Sequence, residues 1–322
     1  MYRTVLVPLD GSPLAERALP FARALAGEAG GRLVLVRCAS AAPAALRDLA
    51  VAHAAAVAEA ESYLRQVTVG AGAPRPWRPA PPVGTGRTEI AVPLGPAAEG
   101  ILAEAARHRA DAIAMTTHGR SGSGRCLYGR VADAVLRKAE VPVLLVPATA
   151  RSRVAWAGDQ TLRVLVPLDG SAAAEAILEP VADLAGTTRL RILLLRVVEP
   201  DLPHRALLDP GMESAADRTA ETEAARRYLE GVADGLRPTG AAVAVYATVG
   251  YPEAEIALQG QKGYVDLVAM TTGGCTGATP DGLGSVAAAA VQFAGVPALL
   301  VRAGARLAAP AWTSGALAGS AR

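Results

Sequence analysis

The chain states the same pattern twice, and this limits its folds more than anything else in it. Val5-Leu6-Val7-Pro8-Leu9-Asp10-Gly11-Ser12 returns as Val164-Leu165-Val166-Pro167-Leu168-Asp169-Gly170-Ser171. Met115-Thr116-Thr117-His118-Gly119 returns as Met270-Thr271-Thr272-Gly273-Gly274, and Val141-Pro142-Val143-Leu144-Leu145-Val146 as Val296-Pro297-Ala298-Leu299-Leu300-Val301. The first pair is 159 residues apart and the other two 155. Colinear matches at a nearly constant offset mark a duplicated domain. The expected units are residues 1–147 and 162–302, joined by a linker at 148–161 and followed by a disordered tail at 303–322, which is small and Ala-rich.

Within each unit, short apolar runs alternate with longer Ala-rich amphipathic stretches. That alternation predicts βαβ units around a buried parallel sheet. In the first unit it places strands near 3–8, 32–38, 88–93, 111–116 and 141–146, and helices near 13–29, 44–69, 97–108 and 130–139. In the second it places strands near 162–167, 189–197, 242–248, 265–271 and 296–301, and helices near 172–185, 213–235, 252–261 and 285–294. The Pro- and Gly-rich stretch 70–86 reads as a surface loop. The fold expected is α/β: two tandem, doubly wound, five-stranded parallel-sheet domains of strand order 3-2-1-4-5.

Composition excludes several classes. Thirty-two basic residues face 30 acidic ones, for a net charge of +2, and aromatics are 4% of the chain. A nucleic-acid binder needs a basic face and stacking platforms, so none is expected. No apolar run is long enough for a membrane span. The three cysteines, Cys38, Cys126 and Cys275, match no zinc spacing, and their sparseness fits a reducing cytoplasm. The chain runs almost at once into a strand with no signal-peptide pattern, so the expected location is cytoplasmic.

Two segments of each unit carry chemistry. Asp10 and Asp169 sit at the carboxyl end of the first strand, where open α/β sheets bind ligands. An equally good reading is that they cap the following helix. The second segment joins the fourth strand to its helix through 116–130 and 271–285, both rich in Gly, Ser and Thr. Exposed N–H groups and a helix N-terminus would make this an anion cradle; the plainer reading is a loop that binds nothing. It is not a Walker loop, since G-x-x-x-x-G-K-[ST] is absent, and the first turn lacks the glycines of a dinucleotide fingerprint. His53, His108 and His204 read as solvated. Arg37 and Arg196, which follow the second strand, read equally as site edges or as surface. No nucleophilic triad is evident.

These motifs together resemble the universal stress protein family, over roughly 1–147 and 162–302, and in particular its tandem members. The resemblance implies an adenine nucleotide alpha hydrolase-like fold, with the two halves forming an intramolecular pseudo-dimer that could itself pair as a homodimer. Nucleotide-binding members carry G-x2-G-x9-G-[S/T] after the fourth strand. Here that pattern falls on Thr116, Gly119, Gly129 and Arg130, and on Thr271, Gly274, Gly284 and Ser285. The spacing holds, but the first Gly is Thr in both halves and the final hydroxyl is Arg130 in the first.

The resemblance implies a nucleotide site at these residues, in which the glycines and the final hydroxyl hold the phosphates of ATP, with Mg2+ as a candidate companion ion, and Asp10 and Asp169 meet the ribose. It also implies that Cys38 and Val197 line the adenine pocket. The function implied is an ATP-binding stress sensor or regulator, with no catalytic residue assigned beyond a weak ATP hydrolysis. A rival is a nucleotide-independent interaction protein with degenerate phosphate loops. Another is an ATP pyrophosphatase-like enzyme, although the glycine-serine loop after the first strand is missing. Arg120, Arg125 and Arg130 favour phosphate in the first half; the alternative reading is that Arg130 fills the pocket. Asp281 and the absence of a basic residue disfavour it in the second.

Overall fold

A computed structural model describes residues 2–27, 30–40, 49–69, 87–117, 129–148, 150, 160–200, 215–273 and 283–305. The first half contains β1 (Thr4–Pro8), α1 (Ala18–Ala26), β2 (Arg32–Val36), α2 (Leu49–Val69), β3 (Thr88–Ala91), α3 (Ala97–Arg107), β4 (Ala112–Thr116), α4 (Arg130–Lys138) and β5 (Val143–Val146). The second contains β6 (Thr161–Pro167), α5 (Ala172–Glu175), α6 (Leu178–Leu184), β7 (Arg189–Val198), α7 (Ala215–Leu236), β8 (Ala242–Val249), α8 (Pro252–Gln261), β9 (Leu267–Thr271), α9 (Ser285–Phe293) and β10 (Ala298–Val301). The linker positions 151–159 and the tail positions 306–322 lie outside the described residues.

The ten strands among the described residues join one sheet in the order β3-β2-β1-β4-β5-β10-β9-β6-β7-β8. Each half therefore has the order 3-2-1-4-5, and all its pairings are parallel. The halves meet where β5 runs antiparallel to β10, with Leu144 opposite Leu299. Each terminal strand would otherwise present an open edge, so pairing the two satisfies both sets of backbone groups.

The strands are continuous Val/Leu/Ile runs because both faces are covered by helices. Their side chains alternate between two cores. Val5, Val7, Leu144, Leu299 and Val301 face one; Leu6, Val143, Leu145, Ala298 and Leu300 face the other. Both cores draw on both halves. Asp111 fixes the entry to β1 by accepting from the Arg3 and Thr4 amides at 2.8 and 2.7 Å. Asp266 repeats this at β6, accepting from the Arg163 amide at 3.0 Å and pairing with its guanidinium.

The first helix of each half departs from expectation. Residues 15–17 form a 3-10 turn before α1, and α5 stops before α6 begins. Pro20 and Pro180 are each the third residue of the helix that follows. Proline lacks the N–H that would bond four residues back, so a continuous helix must break there, while the first turn of a new one tolerates it. His108 also differs from its solvated reading. Its side chain is 15% exposed, with Glu104 3.2 Å from Nε2 and Glu89 3.4 Å from Nδ1.

Candidate functional site

The carboxyl ends of β1, β2 and β4 open into a cavity of about 490 Å³ in the first half. Strand order reverses between β1 and β4, and the gap left at such a switch point is where doubly wound sheets hold ligands. Asp10 lines one side, Cys38 and Ala39 the end of β2, Thr116 and Thr117 the end of β4, and Gly129 through Ala132 the start of α4. Five residues singled out in the sequence, Asp10, Cys38, Thr116, Gly129 and Arg130, thus surround one space. Gly119 lies outside the described residues, as do His118, Arg120 and Arg125.

The Asp-Gly-Ser turn shows how the two readings of Asp10 combine. Its Oδ1 accepts from the Ser12 amide at 2.9 Å, while Ser12 Oγ accepts from the Ala15 amide at 3.1 Å. The serine caps the next turn and the aspartate holds the serine, yet Asp10 still faces the cavity. Asp169 and Ser171 repeat the arrangement, with the Ser171 amide at 2.9 Å and Ser171 Oγ donating at 2.6 Å. Ser171 is the N-cap of α5.

Cys38 donates from Sγ to the Ala97 carbonyl at 3.4 Å. Burial, then the Glu104 charge, push its pKa up to about 11. A thiol of that pKa stays protonated at neutral pH, so Cys38 acts as a small apolar wall and not as a nucleophile. At the mouth, α4 begins at Gly129 with no side-chain cap, and Arg130 is exposed there. A helix N-terminus with a guanidinium beside it favours an anion.

The second half places its candidates differently. Thr271 Oγ1 donates to the Gly273 carbonyl at 2.7 Å, and the Gly284 amide donates to the Thr272 carbonyl at 2.8 Å. Val197 is half-buried near the end of β7. Ser285, the first residue of α9, donates its hydroxyl to Glu253 Oε1 at 3.1 Å. A carboxylate from the first turn of α8 therefore stands at the α9 N-terminus. Its counterpart in the first half, at the 155-residue offset, is Ala98. Gly274 and Asp281 lie outside the described residues.

A feature not read from the sequence frames both turns. Arg37 stacks on Tyr63, with Cζ 4.8 Å from the ring centre, and pairs with Glu59 at 2.8 Å. Tyr63 donates to Glu16 Oε1 at 3.2 Å. In the second half Arg196 stacks on Tyr228 at 5.3 Å, and Tyr228 donates to Glu175 Oε1 at 2.8 Å. Burial, reinforced by the neighbouring glutamate, raises the pKa of both tyrosines. The signal was available: Glu16/Glu175 and Arg37/Arg196 share the 159-residue offset of the Asp-Gly-Ser turns. Among the described residues, no cluster of three or more His, Cys, Asp or Glu could hold a metal ion. No described helix is long and apolar enough to cross a membrane.

The sequence model of the Universal stress protein family matches residues 1–147 and 161–302. The chain belongs to that family, with two copies of its α/β domain in tandem. It is similar to a universal stress protein of Thermus aquaticus, with 32% identity over 149 residues, 45% of this chain and 99% of the relative. Among solved structures, a universal stress protein from Archaeoglobus fulgidus superposes with a TM-score of 0.64 at 19% identity, covering 94% of this chain and all of that one. A functionally unknown protein from Pseudomonas aeruginosa gives 0.57 at 16% identity, covering 94% and 93%. At such identities these two likenesses speak for the fold.

Proposed function

We propose that this protein binds an adenine nucleotide, ATP in the first instance, in the cavity of its first half, and that it serves as a nucleotide-dependent regulator in a stress response. The observation that carries the reading is the single space bounded by Asp10, the ends of β2 and β4, and the uncapped start of α4. Its volume falls in the roughly 300–1,000 Å³ range of small-molecule sites. A carboxylate at one wall suits ribose hydroxyls, and a helix N-terminus with Arg130 at the other suits phosphates. Cys38, Ala39, Ala97 and Ile101 supply an apolar wall for a base. The second half is the weaker binder, because Ser285 is already engaged by Glu253. We assign the site a binding role, with any hydrolysis slow, and give neither carboxylate of the described lining, Asp10 or Glu59, a part in activating water. Mg2+ would arrive with the nucleotide.

Calorimetry with ATP, AMP and cyclic AMP tests the reading. One tight site for ATP is expected. Asp10→Asn should weaken it by about tenfold to a hundredfold, as loss of charge-assisted hydrogen bonds worth about 1.5–3 kcal/mol requires. Absence of binding by all three at millimolar concentration would leave the nucleotide-independent interaction protein as the better account.

A further inference from the structure

The arginine–tyrosine pairs beside the two Asp-Gly-Ser turns are more than surface decoration. Arg37 is only 11% exposed, although its ion-pair partner Glu59 is 65% exposed. Its guanidinium lies over the Tyr63 ring and close beside Gly11. A Cβ on Gly11 would stand 3.3 Å from Arg37 Cζ, tighter than an ordinary contact. On Gly170 a Cβ would overlap Arg196 outright. Both glycines also take a positive φ, +85° and +83°, which side chains resist. The turn is therefore what requires glycine here, and the absence of a side chain leaves room for the arginine tip to pack beside it.

The surroundings of this unit have diverged while the unit has stayed. Glu59 has no acidic counterpart on α7, where Ala224 stands four residues before Tyr228 as Glu59 does before Tyr63. The fourth-strand loops differ in charge. Yet Asp, Gly, Ser, Glu, Arg and Tyr recur together in both halves, in one local geometry. In each half the aspartate and the arginine act on the same tyrosine hydroxyl with opposite sign, which places them in one electrostatic cluster.

We propose that Arg37 and Arg196 are positioning residues: each guanidinium, placed over its tyrosine ring, supports the Asp-Gly-Ser turn and holds Asp10 or Asp169 in the orientation that meets a ligand. Arg37 itself lines the cavity; its role there would be to serve the nucleotide's ribose through Asp10, without phosphate affinity of its own. The ligand part of this inference rests on the nucleotide reading above; the turn part does not.

Two measurements on the full chain separate them. The first needs no ligand. The Ser12 amide is protected by Asp10 Oδ1 and the Ser171 amide by Asp169 Oδ1. In Arg37→Ala, exchange of the Ser12 amide should quicken by about tenfold or more, with Ser171 unchanged as an internal control. Tyr63→Phe, which keeps the ring face, should behave as wild type. If Arg37→Ala does not fold, Tyr63→Ala removes the supporting face and is read at the same amide. Unchanged Ser12 exchange overturns the proposal whatever the protein binds.

The second compares ATP with 2′,3′-dideoxy-ATP. Arg37→Ala should weaken ATP by about tenfold and the dideoxy analogue by less than about twofold, because only the former presents hydroxyls to Asp10. Equal weakening of both overturns the positioning role in favour of direct contact. If wild-type protein binds neither, the nucleotide reading fails, and the amide measurement alone decides whether Arg37 holds the turn.

Discussion

Glu253 and Ala98 occupy equivalent places in the two halves, and that one difference changes what each half can hold. Glu253 takes the Ser285 hydroxyl and puts a negative charge at the N-terminus of α9. Two like charges 4 Å apart repel by about 4 kcal/mol at an effective dielectric near 20, less where solvent and salt screen them. A phosphate approaching α9 meets that repulsion; one approaching α4 meets Arg130. Glu253→Ala should therefore strengthen nucleotide binding at the second half, by about tenfold at low salt and less at high salt. Calorimetry of the full chain would read it as a second site appearing beside the first. An unchanged isotherm would show that Glu253 is only a helix cap. The sequence argued for a weaker second loop through Asp281, which lies outside the described residues, and did not point to this contact. Glu253 is close to Ser285 only because α8 and α9 pack side by side, which spacing along the chain does not reveal.

At the scale of elements, strands were the most legible. Their Val/Leu/Ile runs are dictated by burial on two faces, and β1, β4 and β6 fall within a residue of expectation at each end. The broken first helices were not foreseen, although Pro20 and Pro180 were in view, because an apolar face continues across the break and masks it. The short α6 also joins the two halves. Tyr2 donates its hydroxyl to the Pro180 carbonyl at 2.9 Å, inside a buried contact. Beside it, Glu179 Oε2 is buried and has no hydrogen-bond partner among the described residues. Burial, then the Asp183 charge, raise the Glu179 pKa. A carboxyl whose folded pKa is raised adds its stability below the unfolded value and loses it as pH rises through the folded one. Glu179→Gln, which keeps the shape without the charge, should therefore raise the unfolding temperature at pH 7. The gain over wild type should vanish on acidification to below the ordinary range of a glutamate carboxyl. A thermal melt series of both proteins across that range would show it. A gain independent of pH would mean that the charge is already relieved.

At the scale of the molecule, the ten strands form a single continuous sheet, and this has an energetic consequence that the duplicated sequence alone does not state. The motif pairs announce two domains, and two domains could unfold separately. Here β5 and β10 share a ladder, and each core takes side chains from both. Arg302, just past β10, also donates to the Ala139 carbonyl at 3.2 Å, at the end of α4. The helix whose start lines the cavity is thus held at its other end by the opposite half. Inter-domain surfaces that are large and apolar couple their partners, whereas small polar ones leave them independent. Leu299, fully buried at this seam, is the place to test it. Leu299→Ala should cost about 2–5 kcal/mol, the usual range for a leucine removed from a packed core. That loss should appear in both halves at once, because the seam belongs to both. Hydrogen exchange resolved by peptide would report it: protection in β1 and β4, far from the substitution in sequence, should fall together with that in β6 and β9. Loss confined to β6–β10 would show that the halves fold as independent units and that the shared ladder is incidental.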